Sequence, residues 1–193
     1  MTKAQIEKKI RYRAGDRMVL KINKADFPFR WCPPGACESL TFSTKGKHRT
    51  ITFRRGFWIL EMPITRQMWN DIMRITSSTS HAIKSQSITN ATWEDCRSFI
   101  DELCDLDDVP AGIEFVLPTQ NQLEYACGEK IVAKDFGHTT SKNLFYEWCS
   151  NRKGLEKRVG LDSSYMDEGG MFRLVLVGNY KNLEVPIRHF ELR

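Results

Sequence analysis

Apolar and polar positions follow two rhythms along this chain. Met18–Asn23 alternates in part and Thr50–Arg54 alternates throughout, the period-2 pattern of a half-buried strand. Phe27–Cys32 predicts a second strand, stopped by Pro33, Pro34 and Gly35. Gly56–Leu60 is apolar without alternation, which predicts a strand covered on both faces. Phe115–Leu117 and Leu144–Trp148 predict further short strands. Phe172–Val177, bounded by Gly170 and Gly178, has the profile of one central strand, and Leu183–Ile187 that of an edge strand.

The second rhythm has spacings of three and four, and each such stretch opens on a threonine. Thr65 leads Met68, Trp69, Ile72 and Met73; Thr92 leads Trp93, Cys96, Phe99, Ile100 and Leu103. Each set lies on one helical face that can pack on a core. Thr92 with Asp95, and Thr119 with Gln122, have the three-residue spacing of a capping box, so a short third helix is expected after Thr119. Residues 1–15 predict a short helix or lead-in, and Ser150–Gly170 predicts irregular chain. No internal repeat or low-complexity stretch divides the sequence, so one α+β domain over 1–193 is expected.

Composition changes little in this picture. At 193 residues, with 41% hydrophobic and 27% charged residues, the chain is long enough to bury a core and ordinary for a globular protein. The net charge of +5 gathers at Lys8, Lys9, Arg11 and Arg13, and at Lys45, Lys47, Arg49, Arg54 and Arg55. No nucleic-acid motif accompanies these groups, so they predict solvated surface and no nucleic-acid partner. The charged N-terminus has no apolar signal core, and no stretch reaches the ~20 apolar residues of a membrane span. A cytoplasmic location without membrane partner is expected.

Cysteine spacing argues against a disulfide framework. Cys96 and Cys104 are about 12 Å apart along a helix, beyond disulfide reach. Cys32 and Cys37 flank a turn and can meet, yet without an export signal all six predict reduced thiols. There is no Cys-x-x-Cys pair, and His48, His81, His138 and His189 are scattered, so zinc is not expected. Asp101, Glu102, Asp105, Asp107 and Asp108 predict a solvated helix end. Phosphate-loop, His-Glu-x-x-His and nucleophile-elbow motifs are absent from the sequence.

One block carries more. Leu117-Pro118-Thr119-Gln120-Asn121-Gln122-Leu123-Glu124-Tyr125-Ala126 resembles the Leu-Pro-Thr-Glu-Ala-Glu-Trp-Glu-Tyr-Ala signature of the formylglycine-generating (sulfatase-modifying) enzyme family. Five other blocks resemble the same family in the same order. They are Phe29–Gly35, Gly56–Thr65, Thr92–Cys96, Asn143–Cys149 (Tyr146 replacing a tryptophan) and Met171–Val175 (Met171 replacing a glycine). The resemblance covers roughly residues 27–177 and implies a C-type-lectin-like fold, a twisted antiparallel sheet with short helices and much irregular chain.

It also shows a departure. The family's oxidases hold copper and substrate on two cysteines between the blocks that here end at Cys149 and begin at Met171, and Ser150–Gly170 contains no cysteine. Only Arg158-Val159-Gly160 is similar to the Arg-Val-x-Arg-Gly-Gly-Ser-Trp segment usual there. Thiolate chemistry requires thiolates, so no catalytic residue and no copper are expected. Other members with this fold, including variable proteins of diversity-generating retroelements, bind ligands or proteins on the corresponding surface. That implies a non-catalytic module binding a protein or small ligand through Ser150, Asn151, Arg152, Lys157, Asp162, Ser163, Ser164, Tyr165 and Asp167. The alternatives are an oxidoreductase of the formylglycine-generating type with a rearranged site around Cys32, Cys37 or Cys149, or an accessory subunit of a phage or conflict-system complex. Relatives place calcium near the block containing Glu147. Two roles are therefore open for Glu147: a calcium ligand together with Asn143, or a hydrogen-bonded anchor of its loop.

Overall fold

The computed structural model describes residues 12–38, 50–76, 84–129, 131, 147–150, 156–159, 170–178 and 187–188. In chain order the strands β1 (Arg17–Ile22), β2 (Ala25–Cys32), β3 (Gly35–Glu38), β4 (Thr50–Phe53) and β5 (Phe57–Leu60) precede helices α1 (Arg66–Ile72) and α2 (Trp93–Cys104). Then come β6 (Ile113–Val116), helix α3 (Gln120–Gly128), β7 (Glu147–Ser150), β8 (Glu156–Val159), β9 (Met171–Phe172), β10 (Val175–Gly178) and β11 (Ile187–Arg188). The class is α+β. A six-stranded sheet runs β11-β1-β2-β5-β10-β6, antiparallel at every pair. A two-stranded sheet joins β3 to β4, and a three-stranded sheet runs β8-β7-β9 with β9 parallel to β7.

The two faces of the large sheet explain its sequence rhythms. On one face Met18, Leu20, Phe29, Trp58, Leu60 and Leu176 pack against Met68 and Ile72 of α1 and Cys96, Phe99 and Leu103 of α2. On the other, Cys32, Phe57, Ile59 and Val175 pack against Leu123, Ala126 and Cys127 of α3. β5 is therefore covered twice and reads as continuous apolar sequence, whereas β1 buries Met18, Leu20 and Ile22 and leaves Lys21 exposed. Each fully buried side chain of this size contributes about 1.5–3 kcal/mol.

All three threonine caps form. The Thr65 side chain accepts from Met68 N–H, and the Thr92/Asp95 and Thr119/Gln122 pairs close both bonds of a capping box. Gly56 admits no side chain, because a Cβ there would strike the Trp31 ring and the Cys32 carbonyl. Gly178 lies at φ +110°, at the end of the β6–β10 ladder, where a Cβ would strike the Gly112 carbonyl.

Three expectations change. Phe172–Val177 is not one strand: β9 and β10 belong to different sheets and are separated by Arg173 and Leu174. The break lets the buried Arg173 side chain leave the ladder for partners on β7 and Glu61. Within Ser150–Gly170, β8 is a regular strand. β3 follows at once upon Pro33 and Pro34, where the chain turns and pairs with β4. Of the tail, Ile187–Arg188 lies at the sheet edge on β1. Residues 1–11 and 183–186 fall outside the described residues.

Candidate functional site

The region expected to bind begins where β7 ends, and that end is held by the Leu117–Thr119 block. Ser150 N–H donates to the Pro118 carbonyl at 2.9 Å, and Ser150 Oγ donates to the Leu117 carbonyl at 3.1 Å. Thr119, the cap of α3, bridges Ser150 in parallel register. The far end of the interval is clamped as well. Gly170 N–H donates to the Ala91 carbonyl at 2.8 Å, and Ala91 N–H returns a bond to the Gly170 carbonyl at 3.1 Å. Trp148, 1% exposed, donates from Nε1 to the same Ala91 carbonyl at 2.8 Å and lies against Trp93. Both exits of the 150–170 interval are thus tied down, the first at Leu117 and Pro118 and the second at Ala91.

Under this frame lies a buried charge pair. Arg173 Nε donates to both oxygens of Glu147, at 2.9 and 3.1 Å, and Arg173 Nη2 is 2.9 Å from Glu147 Oε1. Arg173 Nη1 donates to the Glu61 carbonyl at 2.9 Å. The Glu61 carboxylate takes Arg17 Nε at 2.7 Å and Arg30 Nη2 at 2.8 Å. Burial pushes the Glu61 carboxyl up, but the hydrogen bonds and charges of Arg30 and Arg17 outweigh it and hold the group below its ordinary range. These contacts are those of the hydrogen-bonded anchor, one of the two roles open to Glu147. Among the described residues no group of three His, Cys, Asp or Glu side chains is arranged to hold a metal.

Of the residues expected to bind, Ser150 is half-buried in the frame, and Lys157 stands on β8 opposite Cys149. Asn151, Arg152, Asp162, Ser163, Ser164, Tyr165, Asp167 and Asn143 lie outside the described residues. All six cysteines are free thiols. Cys32, Cys127 and Cys149 share the smaller core, with Cys37 packed on its margin. Burial, and secondarily Cys127, pushes the Cys32 thiol well above its ordinary value; burial and then Glu129 and Glu124 push up Cys37.

A second feature has no counterpart in the sequence motifs. A cleft of ≈ 380 Å³ opens beside α1, lined among others by Lys24, Asn70, Asp71, Arg74 and Lys84. It adjoins a cleft of ≈ 450 Å³ that includes Trp69 and Ile88, and the two share Asn70, Ile75 and Thr76. Asn23, in the two-residue turn between β1 and β2, fixes the wall. Its Nδ2 donates to the Asp71 carbonyl and its N–H to Asp108 Oδ2, each at 2.9 Å. The only signal in the chain was negative: the residue after the α1 cap is Arg74, where a glycine is the usual choice.

No helix among the described residues is long and apolar enough to cross a membrane. No protein-family model, curated protein or solved structure matches the chain.

Proposed function

We propose that this chain is a non-catalytic binding module on a formylglycine-generating-enzyme-like, C-type-lectin-like scaffold, which engages a protein or small ligand through the 150–170 region. The observation that carries the reading is the double clamp at Ser150 and Gly170, set over the buried Glu147–Arg173 pair. Fixed ends on a rigid core are what a recognition loop needs, because ordering entropy is spent in folding and not in binding. Arg152, Ser163 and Tyr165 are side chains suited to adaptable contacts.

The oxidoreductase alternative has one observation in its favour, the grouping of Cys32, Cys127 and Cys149 in one apolar cluster. Burial that pushes the Cys32 thiol upward works against it, since the nucleophile and the copper ligand are both thiolates. The test has two arms. A photo-crosslinking residue at position 165 should capture the same partner repeatedly from the native host, and one at the exposed Lys21 should not. Capture from neither position, or equally from both, overturns binding through this region. Incubation with copper and a cysteine-containing sulfatase peptide should yield no peptide aldehyde; an aldehyde product establishes the oxidoreductase instead. A stable complex of fixed stoichiometry through another face, seen by light scattering, would point to the accessory subunit.

A further inference from the structure

We infer that the paired cleft along α1 is a binding site for a small phosphomonoester with a flat apolar body, the chemistry of a nucleoside monophosphate. The inference is independent of the 150–170 region. Its first support is charge. Among the described residues, Lys24, Arg74 and Lys84 line the smaller cleft against a single carboxylate, Asp71, an excess of positive charge suited to a dianion.

The second support is backbone strain in the same place. Asn23 at φ 54° and Arg74 at φ 57° are the described non-glycine residues in the left-handed region, and both line this cleft. Asparagine tolerates that conformation, but arginine does so at a cost that glycine would avoid. The strained position is thus one that places a cationic residue at the cleft. The body of the ligand follows from the adjoining cleft. There Ile75, 49% exposed, faces the same space as Trp69, whose ring is stacked on Phe99 at 5.4 Å and 12°. Trp69, Ile75 and Ile88, set among polar residues beside a cationic end and in volumes of small-molecule size, fit an anion with a flat apolar group attached rather than free phosphate.

Isothermal titration of the full chain with the 5′-monophosphates of adenosine, guanosine, cytidine and uridine tests this, with adenosine and inorganic phosphate as controls. At least one monophosphate should bind below about 1 mM, at least ten-fold tighter than either control. Arg74→Gly and Lys84→Met should each weaken it about ten-fold or more, the loss of one charge-assisted contact. The melting temperature of Arg74→Gly should be unchanged or a few degrees higher, which a merely structural arginine would not give. No binding by any monophosphate, binding indifferent to both substitutions, or adenosine matching its phosphate would each overturn the proposal. Tighter binding of a single-stranded RNA through the same residues, without monophosphate binding, would also overturn it, and would assign the cleft to a polymer.

Discussion

Arg173 shows what a single position does and how far it can be read. It is 1% exposed and its guanidinium is shared between the Glu147 carboxylate and the Glu61 carbonyl. The sequence block that contains it marks the arginine, but its partner lies 26 residues away and nothing in local spacing joins the two. The same position breaks the apolar run into β9 and β10, a break hidden because Phe172, Leu174, Val175 and Leu176 are apolar on both sides of it. Removing one member of a buried pair leaves the other charge uncompensated. Arg173→Met should therefore cost about 3–5 kcal/mol in urea unfolding. The double variant Arg173→Met with Glu147→Leu should recover a large part of that loss. If the double variant is as unstable as the sum of the two single ones, the pair is not coupled and the anchor is misassigned.

Helix starts were legible because a capping box is a local device, written within four residues. Thr92 Oγ1 accepts from Asp95 N–H at 3.1 Å, and Thr119 Oγ1 from Gln122 N–H at 3.2 Å, as the spacing predicts. β3 was not legible, since its half-buried Gly35–Glu38 pattern acquires meaning only through β4, twelve residues or more along the chain. The α1 cleft was illegible for a related reason: a hairpin turn, a helix end and Lys84 meet there, and no one periodicity spans them. Thr119 does two jobs on different atoms. Its side chain caps α3, while the block's backbone receives Ser150. Thr119→Ala should thus lower stability by about 1 kcal/mol and leave the Ser150 amide as protected from hydrogen exchange as before. Loss of that protection would mean that the cap itself positions the end of β7.

Across the whole molecule, the large sheet separates two cores, and the cysteines report which parts of them water reaches. Cys32, Cys96, Cys127 and Cys149 are buried, while Cys37 and Cys104 are half-buried. Burial raises the Cys32 and Cys96 thiols far above their ordinary 9.0, with Asp95 adding to the effect at Cys96. A raised folded value means that their contribution to stability is complete below pH 9.0 and is lost as pH rises beyond it, because only the unfolded chain ionises there. With Ellman's reagent near pH 8, two thiols per chain should react slowly in the native state, and the remaining four only at the rate of unfolding. Raising the pH past 9.0 should accelerate the protected class more than thiolate fraction alone explains, through loss of native stability. Fast native reaction at Cys32 or Cys149 would place a reactive thiolate in the smaller core, and would move the balance from binding toward the oxidoreductase.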